Sequence, residues 1–392
     1  MVVAVGVALL AVAICIAHRS GLRHDYIDFT VSWRATNGGV SPWESQPYAY
    51  GPVFNLFAAP ARIDELGPKY LFVITWVVTA AILMARATRR STTRAVAVAL
   101  MLVVNPLTAI SVAVFGLFDV VVGAISLGAV VLWRRDRPAA AGVCLAIGVL
   151  LKLFPAVLVP VLVASGCRAG RRAHVVKSVR FLVAVGASTA VGFGLSALMW
   201  GPRSVTEPLS FGAQRGPKLM SIFRYLDGRY RPIGSSDLDV SWLSVPLIVV
   251  SILAISVWAF RYRVDPVVAS ATAMIATFNF YKVGHQQFVV VVMLLLALWV
   301  AEAATIPTRQ RAALALYSCW YGLAQAGYLW TAVANDAQYG FVGEWSWVRE
   351  VIGAPTFLIA SWLIYELIAL PMRSTPGASL EPGVGEHPII VV

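Results

Sequence analysis

Apolar runs recur along the chain near residues 2–17, 70–85, 95–113, 119–133, 138–151, 153–165, 181–200, 241–260, 266–281, 287–303, 311–330 and 351–370. In lipid every backbone N–H and C=O must be satisfied within the segment, which leaves helix as the open structure available to such runs. Composition agrees: 59% of residues are hydrophobic and 13% charged, whereas soluble domains carry about a quarter charged residues. The expected fold is an all-α polytopic membrane protein with about twelve membrane segments. One domain over residues 1–373 is followed by a flexible cytoplasmic tail, 374–392, with Ser, Pro and Gly. The opening MVVAVGVALLAVAICIA lacks the basic flank and small-residue cleavage site of a secretory signal and is expected to remain as the first segment.

Charge orients these segments. A net charge of +12 would suggest nucleic acid for a soluble protein, but here the cations gather in short links between apolar runs. The links are Arg86, Arg89, Arg90 and Arg94; Arg134, Arg135 and Arg137; Arg168, Arg171, Arg172, Lys177 and Arg180; Arg261 and Arg263; Arg309 and Arg311. The positive-inside rule makes them cytoplasmic, with both termini, and no nucleic-acid partner is expected. The links at 18–69, 105–119, 201–240, 282–286 and 331–350 then lie outside, with thirteen of the 19 acidic residues. Polar chemistry is expected on the extracytoplasmic side of a cell membrane. The four cysteines form no outer-loop pair and no CxxC spacing.

Residues 138–165 must cross twice to keep the basic clusters on either side cytoplasmic. Each half is too short to span about 30 Å of hydrocarbon. The tip reads Lys152-Leu-Phe-Pro155. A broken backbone and a cation at depth require protein or a wet cavity beside them, so a cavity open to the outside is expected, with a snorkelling lysine as the alternative.

The first outer loop, HDYIDFTVSWRATNGGVSPWESQPYAYGPVF, sets Asp25 and Asp28 one helical turn apart. Paired acids there can accept a proton or hold a divalent ion, or simply be solvated. Tyr26, Phe29, Trp33, Trp43, Tyr48 and Tyr50 fit either an interfacial belt or sugar-stacking faces. Lys282 and His285, with Gly284 freeing the backbone between them, offer an anion site. The loop 201–240 interleaves Gln214, Arg215, Lys218, Arg224, Arg229 and Arg231 with apolar residues, as an amphipathic helix on the membrane or a solvated basic face. Asp119, just before Val120, reads as a helix cap; a substrate contact there is what the resemblance below implies. No P-loop, GxGxxG, HExxH, GxSxG or zinc spacing occurs.

Four segments carry a resemblance. Asp28-Phe-Thr-Val-Ser-Trp33 with Ser41-Pro-Trp43 and Tyr48-Ala-Tyr50-Gly-Pro52 is similar to the first luminal loop of the catalytic subunit of GPI mannosyltransferase I and of bacterial polyprenyl-phosphate-mannose-dependent alpha-mannosyltransferases. Asn105-Pro106 with Gly116 to Asp119, Lys152 to Pro155 with Pro160, and Phe278-Asn279 through Lys282 to Gln286-Gln287-Phe288 follow in the family's order. The resemblance implies a glycosyltransferase C fold with an outer-loop active site. It implies inverting transfer of a hexose, mannose in that family, from a polyprenyl-phosphate sugar to a lipid-linked glycan or glycolipid.

The resemblance assigns Asp28 as general base and Asp25 as its catalytic neighbour. Lys282, His285 and Lys152 are the expected donor-phosphate ligands, and Trp33, Tyr50, Asp119, Gln287, Arg215 and Lys218 the expected substrate contacts. The family motif is commonly Asp-x-Asp, whereas this chain has Asp25-x-x-Asp28, so a paired-aspartate metal site lacks its usual spacing and no cofactor is expected. A transporter or flippase of a lipid-linked substrate shares the broken hairpin and intramembrane lysine. A ligase or acyltransferase acting on such a substrate would share the outward cavity.

Overall fold

The computed structural model describes residues 2–23, 25–45, 49–165, 171–227 and 240–373. Tyr48, Arg168, Arg229, Arg231 and the tail after residue 373, all named above, lie outside the described residues. Every apolar run is helical: α1 Val2–Ser20, then a short helix α2 Asp25–Asn37, α3 Gly67–Thr88, α4 Thr92–Val114, α5 Asp119–Arg134, α6 Pro138–Leu151, α7 Leu158–Ser165 and α8 Arg171–Trp200. The helix α9 Arg203–Gln214 follows, then α10 Ser244–Arg261, α11 Pro266–Phe280, α12 Val289–Glu302, α13 Thr308–Ala334 and α14 Gly353–Arg373.

Among the described residues, α3, α4, the stretch Arg172–Trp200 and the stretch Ser241–Arg261 are long and apolar enough to cross a bilayer. Two bent pairs raise this to as many as six spans: Gly6–Ser20 with α2, bent by 82°, and Gly343–Val351 with Gly353–Ala369, bent by 41°. The hairpin halves are shorter. At 14 and 8 residues, α6 and α7 reach only about 21 and 12 Å.

The centre is α12, apolar on every side and buried over Val289–Ala301. It packs against α3, α4, α5 and α11, and α11 in turn against α7, α10 and α14. On the basic-link side, Glu302 at the end of α12 accepts from Arg86 at 2.7 Å and from Arg134 at 2.5 Å. Arg134 also reaches Asp265 at 3.4 Å. These charges bolt α3, α5, α11 and α12 together at one end.

At the opposite end the chain is irregular and aromatic. In α2, Tyr26, Phe29 and Trp33 fall on one buried face, the i, i+3, i+7 pattern of a helix stripe. Trp33 stacks on Phe54 at 5.3 Å and donates its indole N–H to the Phe54 carbonyl at 3.3 Å. Phe29 meets Phe118 at 5.7 Å. The Tyr26 hydroxyl donates to the Glu65 carbonyl at 2.7 Å and accepts the Lys69 N–H at 3.2 Å. This aromatic box fixes α2 over the bundle.

Candidate active site

The box leaves Asp25 and Asp28, in the first turn of α2, on the wall of a cavity of about 680 Å³. That volume is within the range of small-molecule sites. Acids in a first helical turn also face the positive end of the helix dipole.

Further lining comes from the second half of the chain. A two-residue parallel pairing joins β1, Lys218–Leu219, to β2, Val283–Gly284. Lys218 N–H donates to the Lys282 carbonyl at 3.0 Å and Met220 N–H to the Gly284 carbonyl at 2.9 Å. Ser244 clamps the segment from behind, donating to the Phe280 carbonyl at 2.6 Å and accepting the Lys282 N–H at 3.0 Å. The result is that Lys282 and His285 both line the cavity, with Arg215 and Gln287 beside them.

Two expectations about this wall change. Gly284 is present for close approach: a Cβ there would stand 2.4 Å from Ser221 N. The middle of loop 201–240 is not one amphipathic helix, because α9 ends at Gln214 and the basic stretch continues as β1. Arg215 lies over the Phe211 ring at 4.5 Å. Lys218 contributes its backbone to β1, and its exposed side chain is not among those lining the cavity. Partial burial and the neighbouring Arg215, Arg224 and Arg349 hold the Lys218 ammonium below its ordinary pKa. The loop is anchored by Arg224, which grips both Glu350 oxygens at 2.6 and 3.2 Å.

The floor is the hairpin tip. Lys152 leaves α6 in extended geometry and donates to Asp119 at 2.6 Å. Both are buried, and the rings of Tyr50, Phe118, Phe154 and Phe288 surround the ammonium at 4.3–5.7 Å. Lys152 lines the cavity, but its charge is balanced by Asp119 behind it. Asp119 is not the N-cap of α5, which Phe118 occupies with no side-chain cap, and it is not on the cavity lining either. Tyr50 reaches the floor because Gly51 lets the loop lie on the end of α6. The Gly51 N–H donates to the Leu151 carbonyl at 3.2 Å, and a Cβ on Gly51 would fall 2.2 Å from the Leu150 oxygen.

The structure therefore gathers Asp25, Asp28, Tyr50, Lys152, Arg215, Lys282, His285 and Gln287 around one space. Trp33 is not among them; it is wholly buried in the box. Sequence reasoning missed Trp242, Tyr281, Ser244 and Phe154, all on the lining. It also missed Tyr339. Burial raises the Tyr339 hydroxyl pKa, as do Asp25 and Asp28, while Arg215 opposes, so this late segment sits within the field of the acids. Tyr50 is likewise raised, first by burial and then by Asp25 and Asp119, and stays a protonated donor. Among the described residues no group of three or more His, Cys, Asp or Glu is placed to hold a metal.

One flank of the cavity is apolar, formed by Leu209, Val245, Ile248 and Val157. Val245 is itself well exposed on the outer face of α10. A pocket lined by acids and cations therefore also has an apolar flank that continues onto an exposed face.

Comparison with known proteins follows from this geometry. The model of glycosyltransferase family 87 matches residues 48–281. That span holds Tyr50, Asp119, Lys152 and Arg215, and stops short of Asp25, Asp28, Lys282 and His285. No curated protein matches. Among solved structures, that of ArnT from Cupriavidus metallidurans bound to undecaprenyl phosphate is similar over 95% of this chain and 77% of that one, with 16% identity and a TM-score of 0.50. At that identity the likeness shows the fold.

Proposed function

The chain belongs to glycosyltransferase family 87, and from that premise we propose that it transfers a hexose from a polyprenyl-phosphate donor to a lipid-linked glycan or glycolipid on the extracytoplasmic side, inverting the anomeric carbon. The observation that carries this reading is the cavity itself, where Asp25, Asp28, Arg215, Lys282 and His285 line one pocket with an apolar flank. ArnT, the structural neighbour, was solved with undecaprenyl phosphate bound, which supports a polyprenyl-phosphate donor. The resemblance to polyprenyl-phosphate-mannose-dependent enzymes supports mannose as the sugar.

In this mechanism Asp28 takes the proton from the acceptor hydroxyl as that oxygen attacks the anomeric carbon. The bond to the donor phosphate breaks, and its electrons leave with the polyprenyl phosphate. Arg215, Lys282 and His285 meet the developing phosphate charge, the positioned-charge effect that supplies most catalytic power in a water-poor cleft. Tyr50, held protonated, donates a hydrogen bond to the sugar or phosphate. The Lys152–Asp119 pair holds the aromatic floor against which the sugar rests. The prenyl chain leaves through the flank beside α9 and α10, and loop 201–227 gates that opening.

The test is transfer by purified protein in liposomes with radiolabelled polyprenyl-phosphate mannose, a polyprenyl-phosphate sugar of another kind, or a nucleotide sugar, against acceptors from a membrane extract. The reading expects label in lipid-linked product with polyprenyl-phosphate mannose alone. Transfer from the nucleotide sugar, or bilayer crossing of labelled lipid without transfer, would overturn it.

A further inference from the structure

A second concavity, of about 700 Å³, lies between α4 and α13. Its shape comes from a break in α4. Leu100–Val104 is a π-widened turn, Asn105 leaves helical geometry, and Pro106 starts the helix again with Asn105 Oδ1 accepting the Leu107 N–H. Opposite, Gly322 presents no side chain; a Cβ there would lie 2.7 Å from Asn105 Oδ1. Asn105 donates to the Ser318 carbonyl and hydroxyl at 2.9 and 2.8 Å. The deep polar atoms are thus spent within the wall, and the trough offers a ligand apolar contact.

Its mouth is cationic. Arg94 and Arg311 both line it, and each binds one neutral oxygen: Arg94 the Ala304 carbonyl at 2.6 Å, Arg311 the Thr308 hydroxyl at 3.3 Å. Among the described residues neither forms an ion pair with a carboxylate, whereas Arg86 and Arg134 at the same end share Glu302. A guanidinium carries five N–H donors, so most of theirs remain for an anion. From Arg311 to Leu323 the trough follows twelve residues of α13, about 18 Å at 1.5 Å per residue. That is roughly half of a ~30 Å hydrocarbon core, the depth of one leaflet. Leu100, Val104 and Leu323 on its lips are exposed, so the trough opens sideways to lipid.

We propose that this groove binds an anionic diacyl phospholipid of the leaflet on the basic-link side, its phosphate between Arg94 and Arg311 and one acyl chain in the trough. Basic pockets between membrane helices on that side bind anionic headgroups in this way. The site is separate from the candidate active site: Arg94 begins α4, while Val114, whose carbonyl accepts from Lys69 below α2, ends it. The inference does not depend on the donor reading.

The test uses the full chain in nanodiscs of phosphatidylcholine with a minority of phosphatidylglycerol, read by native mass spectrometry of retained lipid. One phosphatidylglycerol should be retained selectively. Arg94→Gln with Arg311→Gln should weaken that retention about thirtyfold, at ~1 kcal/mol per arginine near an anionic surface. Ala315→Trp, which fills the trough and leaves both arginines, should abolish it. Thermal unfolding of each variant reports whether its fold is kept. Equal retention by wild type and the folded double variant would overturn the proposal. So would wild-type protein holding phosphatidylcholine as tightly, a result that needs no variant.

Discussion

Asp119→Leu removes the partner of a lysine that sits 9% exposed at the cavity floor. Breaking a buried pair by deleting one member costs about 3–5 kcal/mol, because the remaining charge stays out of water. Two features place this site toward the lower figure. The ammonium has four aromatic rings within 5.7 Å, and its side chain borders the cavity, so cation–π attraction and partial solvation recover some of the loss. A destabilisation of about 3 kcal/mol is expected. Lys152→Met in the same chain removes the stranded charge at nearly constant side-chain length. The double variant should therefore be more stable than Asp119→Leu alone, with a coupling energy of at least about 2 kcal/mol. Unfolding of the four proteins by increasing dodecyl sulfate in mixed micelles measures the cycle. Effects that simply add, within about 0.5 kcal/mol, would refute the claim that the pair stabilises the floor as a unit.

Three further outcomes follow from particular contacts. Gly51→Ala should cost about 1–3 kcal/mol and most of the transfer activity, measured by unfolding and turnover, because its Cβ meets the Leu150 oxygen at 2.2 Å and lifts Tyr50 from the floor. Lys218 is held below the ordinary lysine value of 10.5 by burial and by Arg215, Arg224 and Arg349. Between that depressed pKa and 10.5 the unfolded chain binds the extra proton, so stability from this group rises with pH through the window. An anion bound nearby lifts the pKa, and calorimetric titration with undecaprenyl phosphate in buffers of different ionisation heat should show proton uptake there, reduced in Lys218→Met. In a chain without native cysteines, Val40→Cys should label from outside the cell and Thr92→Cys should not. Val40 is suited to this because it is exposed, whereas Ser41 is buried with its hydroxyl on the Trp200 carbonyl at 3.5 Å.

The helices and the cavity floor were legible because their signals are local. Apolar runs mark the helices, and Lys152-Leu-Phe-Pro155 breaks one of them where the chain does turn into the cavity. The two aspartates were readable for the same reason, since spacing alone puts them on one turn of α2. What failed was pairing across the chain. Asp119 could not be told from a helix cap without the lysine 33 residues later. Gly284 looked like a hinge because Ser221, which it must admit, lies 63 residues earlier. Trp33 was expected against substrate, yet its i, i+4 and i, i+7 relation to Phe29 and Tyr26 already signalled one buried helix face. Tyr339 had no signal at all, because only the packing of this late segment brings it near Asp25 and Asp28.

The central claim is that Asp28 is the general base of a sugar transfer at the start of α2. Single-turnover transfer from radiolabelled polyprenyl-phosphate mannose, with donor affinity measured separately, should fall about a hundredfold or more for Asp28→Asn. Donor affinity should be unchanged, and Asp25→Asn should have the smaller effect on rate. An Asp28→Asn protein that binds donor and transfers at the wild-type rate would contradict the account.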